Sequence, residues 1–180
     1  MEPTIDTFDL TRTGSELSGE YPVAALERLA SSLAETSGLV VWRVRGWRAR
    51  RADGGADDLM TLTTTATVQM PCVRCMRAVP VELSVERTYR LVESAAEAER
   101  LDLDDALYDV LAGSRRFDLT GLVEDEAIMA LPATPRHERC ELPAAAHDAA
   151  QPASEDARER PLAALARLKS GAQNTDIIED

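Results

Sequence analysis

Apolar and polar residues alternate strictly along three stretches of the chain. In VVWRVRGW, Val40, Trp42 and Val44 take one side and Arg43 and Arg45 the other. In LTTTATVQM, Leu62, Ala66, Val68 and Met70 alternate with Thr61, Thr63, Thr65, Thr67 and Gln69. In VPVELSVERTYRL, Val79, Val81, Leu83, Val85, Tyr89 and Leu91 alternate with Glu82, Ser84, Glu86, Thr88 and Arg90. A period of two sustained over this length predicts an antiparallel sheet with one buried face and one wet face. Asp53-Gly54-Gly55 is a turn signal between the first two strands. PCVRCMRA separates the second from the third, which places two thiols at or near a hairpin tip.

Helical spacing flanks these strands. Residues 22–34, PVAALERLASSLA, set Leu26, Leu29, Ala30 and Leu33 at i, i+3, i+4 and i+7. Pro22 suits a first helical position, and Gly38 lies near the expected end. Residues 93–112 are acidic and alanine-rich, helical in part, with Leu103, Leu107 and Leu111 recurring every fourth residue. FDLTGLVEDEAIMALP predicts a helix capped by Asp118 or Thr120, burying Leu119, Leu122, Val123 and Ala130 and ending at Pro132. From Ala144 to Arg160 the composition is that of a flexible linker. It leads to PLAALARLK at 161–169, whose Leu162, Leu165 and Leu168 form a short apolar stripe suited to docking on the chain's own sheet or into a partner's groove. The expected fold is α+β: an antiparallel β-sheet with flanking helices over 1–143, a linker over 144–160, and a short C-terminal helix and tail over 161–180.

Charge narrows the choice of partner. The net charge is −12, but it is unevenly spread. Residues 1–38 carry seven acids and two bases (−5), residues 39–92 five acids and nine bases (+4), and residues 93–180 twenty acids and nine bases (−11). Neutralising phosphates needs clustered Lys or Arg, so only the middle segment can approach RNA without repulsion. The acidic flanks suit a basic protein partner. No apolar run nears the ~20 residues of a membrane span, and MEPTIDTFDL lacks the basic-then-apolar pattern of a secretory signal. Three cysteines, an odd number, do not suggest a disulfide framework. A cytoplasmic protein with neither a membrane nor DNA as partner is expected.

Candidate chemistry centres on Cys72-x-x-Cys75 and His137-x-x-Cys140. Zn²⁺ takes four ligands in a tetrahedron, and short loops of this spacing present two ligands each. Three thiolates and one imidazole would make a closed, structural zinc set without an open position for water. Two other readings are open. Cys72 and Cys75 could be a thiol redox couple, although such pairs usually precede a helix in a βαβ unit. All three thiols could equally be reduced side chains without metal. The acidic VEDEA at 123–127 reads as the solvated flank of a helix. No phosphate-binding glycine loop or H-E-x-x-H occurs, and two histidines leave few candidates for a general base. An enzyme is not expected.

CVRCMRAV at 72–79, FDLTGLVEDEAIMALP at 117–132, PRHERC at 135–140 and PLAALARLK at 161–169 together resemble the YceD family of large ribosomal RNA subunit accumulation proteins. The likeness runs from about residue 40 to 170. Met76 stands where leucine is usual and Leu162 where phenylalanine is usual, and both keep apolar character. The resemblance implies a bacterial cytoplasmic factor for synthesis, processing or stability of 23S ribosomal RNA, with no known catalytic activity. Its partners would be the large-subunit precursor, ribosomal RNA or a basic ribosomal protein. Cys72, Cys75, His137 and Cys140 match the family's recurring positions. Arg43, Arg45, Arg48, Arg50, Arg51, Arg74, Arg77 and Arg90 are the candidates to face RNA.

Overall fold

The computed structural model describes residues 4–103, 105 and 107–140. In chain order its elements are β1 (Thr4–Ile5), α1 (Thr7–Thr13), β2 (Glu16–Pro22), a 3-10 turn at Val23–Ala25, α2 (Glu27–Ser31), β3 (Leu39–Arg50), β4 (Ala56–Pro71) and β5 (Ala78–Val92). There follow α3 (Ala95–Asp102), β6 (Asp109–Ala112), β7 (Phe117–Asp118) and α4 (Leu119–Met129). Five strands form one sheet in the order β2-β3-β4-β5-β6, and β1 pairs with β7 in a second, two-stranded sheet. The three alternating stretches are the long central strands. They are antiparallel throughout, with Arg43 opposite Thr63 and Thr63 opposite Glu86.

Alternation decides the faces as expected: Val40, Trp42 and Val44 are buried while Val41, Arg43 and Arg45 are exposed. The buried face carries the main core. Val40, Val44, Leu62, Val68 and Leu83 meet Leu26 and Leu29 near α2, and Leu119, Val123 and Ala127 of α4. Full burial of one such side chain stabilises by about 1.5–3 kcal/mol. A smaller cluster, Val92, Ala98 and Val110, lies under α3. Val110 pairs with Arg90, so this cluster sits on the opposite face, at one end.

Four features differ from what the pattern predicts, one of them a strand it did not mark. Pro22 ends a strand instead of opening a helix: its backbone is extended (φ −58°, ψ 134°), and Leu26 also leaves helical space (φ −101°, ψ 85°). The helix therefore shrinks to Glu27–Ser31. Second, Leu103, Leu107 and Leu111 do not share a helix face. Leu103 and Leu107 are exposed, and Leu111 belongs to β6, which runs parallel to β5. A parallel pair needs a crossover longer than a hairpin, and α3 supplies it. The sheet is thus mostly, not wholly, antiparallel. Third, ELSGEYP is a strand that the pattern concealed. Gly19 interrupts its apolar alternation because a Cβ there would lie 2.7 Å from the Trp42 indole. Fourth, VEDEA is not simply a wet flank, since Glu124 and Glu126 are both buried. The proposed linker at 144–160 and the C-terminal segment at 161–180, with Leu162, Leu165 and Leu168, lie outside the described residues.

Gly46 shows how closely α1 is seated on β3. A Cβ at this position would come within 2.7–2.8 Å of the Leu10 backbone and the Thr11 nitrogen. Backbone cannot swing aside as a side-chain tip can, so the helix must shift. Gly46→Ala is expected to cost about 1–3 kcal/mol, read from chemical denaturation. Gly54→Ala serves as the strain control. Its added Cβ meets nothing within 4 Å, but its φ is +88°, so any loss there comes from the backbone alone.

Candidate metal centre

β4 and β5 meet at the turn that carries Cys72 and Cys75. The Met76 N–H donates to the Cys72 carbonyl (2.9 Å), and the Cys72 N–H to the Arg77 carbonyl (2.9 Å). Closing the turn this tightly puts Met76 in the left-handed region (φ 61°), which costs a non-glycine residue about 1–2 kcal/mol. The second loop follows α4. It is tied to the first where the Val73 N–H donates to the Pro135 carbonyl (2.9 Å), and Pro135 is buried.

This tie brings the two ligand pairs together. Cys72, Cys75, His137 and Cys140 each offer one ligand atom, and these atoms all lie within 4.8 Å of one another. The Cys72 and Cys140 sulfurs are 3.8 Å apart. The Cys75 sulfur is 3.5 Å from His137 Nδ1. Zn–S bonds of about 2.3 Å and a Zn–N bond of about 2.0–2.1 Å at tetrahedral angles would separate two sulfurs by ~3.8 Å and sulfur from nitrogen by ~3.6 Å. The donor set and its spacing therefore fit a tetrahedral ion.

The surroundings fit it as well. His137 Nε2 lies 3.0 Å from the Ala78 carbonyl oxygen. A carbonyl only accepts, so Nε2 carries the proton and Nδ1 keeps its lone pair toward the sulfurs, the arrangement that orients metal-binding imidazoles. Cys72 and Cys75 are buried, His137 and Cys140 half-buried. Burial opposes the Cys72 thiolate, but amide N–H groups of Cys75, Arg74 and His137 and the imidazole outweigh it, bringing its pKa down to about 5. The Arg77 amide, against burial, lowers Cys75. Burial, then the neighbouring Cys72 and Cys75, push Cys140 up. Hydrogen bonding to Cys72, against burial, raises His137. Cys72 and Cys75 are thus shifted toward the thiolate and Cys140 away from it, and a dication would offset the burial and the repulsion that hold Cys140 protonated.

The chain matches the model of the family described as large ribosomal RNA subunit accumulation protein YceD over residues 60–169. The chain belongs to the YceD family. The match starts some twenty residues later than the likeness carried by the motifs, and it includes both ligand pairs and α4. No match was found among curated proteins or among solved structures. A YceD protein is by description a large ribosomal RNA subunit accumulation protein. No helix among the described residues is long and apolar enough to cross a membrane.

The candidate RNA-facing arginines fall into two groups. Arg48 is paired with Asp58, Arg51 with Asp53 and Asp57, and Arg90 with Asp57 and Asp105. Their charge is already balanced within the fold. Arg45, Arg50, Arg74 and Arg77 are exposed and form no ion pair among the described residues. Arg43 reaches Glu16 at 3.6 Å, with both side chains largely in water, a contact worth little. Arg43 and Arg45 line a shallow depression on the wet face together with Trp47, Thr61, Thr63 and two carboxylates, Glu16 and Glu86. The sequence did not single out Trp47, because charge alone marks the arginines on that side of the strand.

Proposed function

We propose that this YceD-family protein is a non-enzymatic factor for the synthesis, processing or stability of 23S ribosomal RNA. In this reading it acts on the large-subunit precursor, and Cys72, Cys75, His137 and Cys140 hold a structural zinc ion. The ion's contribution would be cross-linking: it fastens the segment after α4 to the β4–β5 tip, with no open position for a reacting water. The observation that carries the reading is the convergence of four ligand atoms, from two distant loops, in a chain of this family. A redox couple at Cys72 and Cys75 would require neither His137 nor Cys140, yet both lie against that pair.

Arg43, Arg45, Arg50, Arg74 and Arg77 are the cations this reading assigns to ribosomal RNA, with Arg43 and Arg45 at its centre on the open face of the sheet. The expected result is RNA binding that weakens steeply with salt. Removing a cation that touches one phosphate reduces the slope of log affinity against log salt by about one. Arg43→Ala together with Arg45→Ala should therefore lower the slope by about two, across RNA sequences alike. Titration of fragments of 23S RNA over a salt series measures it. Absence of binding at low salt would remove direct RNA contact from the reading and leave a protein partner.

A further inference from the structure

β2 is the edge of the five-stranded sheet, and among the described residues nothing pairs with its outer side. The ladder to β3 shows which backbone groups are unused. The Gly46 N–H donates to the Ser15 carbonyl (3.0 Å), and the Val23 N–H to the Gly38 carbonyl (3.1 Å). Hydrogen-bonding direction alternates along an antiparallel strand. Residues 15, 17, 19, 21 and 23 therefore turn their backbone groups inward, and Glu16, Ser18 and Glu20 turn theirs out. Three N–H and three C=O groups form an open row.

The side chains beside this row are specific in character. Glu16, Ser18 and Glu20 point to the wet face and are all exposed. Leu17, Gly19 and Tyr21 take the other face, with Leu17 42% exposed. Soluble proteins usually blunt an edge with lysine, proline or a bulge. β2 has no lysine and no arginine, pairs without a bulge over seven residues, and reaches proline only at its last position.

We propose that β2 accepts an extended, basic segment of another polypeptide as a sixth strand. Backbone hydrogen bonds to Glu16, Ser18 and Glu20 provide affinity. Cross-strand neighbours select the side chains: Lys or Arg opposite Glu16 and Glu20, apolar residues opposite Leu17 and Tyr21. A second copy of this strand is a poor occupant. Antiparallel pairing of two β2 strands gathers the glutamates of both on one face, with no cation on either strand. The net charge of −12 draws basic segments in preference to acidic ones. This edge adjoins the arginines assigned to RNA, since Glu16 lies 3.6 Å from Arg43, but the backbone row at Glu16, Ser18 and Glu20 does not depend on an RNA contact.

The test uses the full chain and a labelled synthetic peptide of alternating lysine and valine, followed by fluorescence anisotropy. Saturable binding is expected. Ser18→Pro removes the central outward N–H while leaving the β3 ladder intact, since proline is tolerated on an edge whose N–H faces solvent. It should weaken binding about tenfold or more, against less than about twofold for Ser18→Ala. A peptide N-methylated at two adjacent central residues, which blocks both of its edges, should lose as much. That arm decides the matter if Ser18→Pro fails to fold. Three results would overturn the proposal: no binding, equal binding of the N-methylated or a glutamate–valine peptide, or a dimer in sedimentation that Ser18→Pro abolishes. RNA affinity unchanged by Ser18→Pro separates this surface from the RNA reading.

Discussion

If Cys72, Cys75, His137 and Cys140 hold zinc as proposed, a chelator is expected to destabilise the folded protein by at least about 4 kcal/mol. Structural zinc contributes about 10–16 kcal/mol in peptides that fold only around the metal. Here the loss is smaller because the Val73–Pro135 bond and the His137–Ala78 bond still join the two loops. In a chain of this size the thermal midpoint should fall by about 8–16 °C. Cys140→Ser should reproduce the loss and abolish the response to chelator. The pH dependence has a definite sign. Cys140 is raised above the ordinary thiol value, so it is protonated in the neutral range and must release its proton when a cation binds. Metal affinity should therefore rise with pH, about tenfold per unit for each proton displaced. Elemental analysis of the purified protein, with melting curves before and after chelation, checks both the ion and its contribution. A metal-free protein whose midpoint ignores the chelator would sink the zinc assignment.

Glu124→Ala should cost about 3 kcal/mol, although nothing in its sequence neighbourhood singles it out. Leu26, the residue before α2, gives the helix no side-chain cap. The first amides of α2 are served from another helix, since Glu124 Oε1 accepts from the Arg28 N–H (2.7 Å) and the Leu29 N–H (3.1 Å). Oε2 accepts from the Arg28 guanidinium (2.8 Å). Removing the carboxylate leaves two helix amides without a partner, one of them buried, and each such group costs about 1–3 kcal/mol. The Arg28 ion pair adds little, because that side chain is half in water. Glu124→Gln keeps one acceptor oxygen and should lose less than half as much. Asp125→Ala removes only an exposed partner of Arg28 and should change stability by less than about 0.5 kcal/mol. Urea denaturation of the three variants distinguishes them. Equal losses for Glu124→Ala and Asp125→Ala would mean that the cap is not what matters.

Glu126 extends the same lesson. Its Oε1 accepts the Tyr89 hydroxyl (2.6 Å) and its Oε2 the Arg87 guanidinium (3.1 Å). Burial, then this carboxylate, raise the Tyr89 pKa, so the phenol stays a donor. VEDEA has the look of a charged flank because local spacing cannot reveal that α4 turns two of its acids toward groups needing acceptors. Those groups, the first amides of α2 and the Tyr89 hydroxyl, lie 95 and 37 residues away in the chain.

The central strands were legible because a half-buried strand writes its two environments into every second residue. Val40 to Val44 and Val79 to Leu91 need no partner to be recognised. Asp118 as the cap of α4 was legible for a similar reason: its side chain accepts from the Gly121 N–H, three residues on (2.9 Å). The four ligand positions were legible as two pairs of suitable type and spacing. Their meeting was not, because the distance between residues 75 and 137 is set by a sheet, a crossover and a helix. β2 was hidden by the glycine that makes room for Trp42, and β6 by its brevity. Residue chemistry and short-range spacing thus determined the strands, the cap and the list of donors. Only tertiary structure decided which donors share a point and which arginines are already neutralised by Asp57, Asp58 and Asp105. Such outcomes depend on contacts between segments whose separation in sequence carries no information about their separation in space.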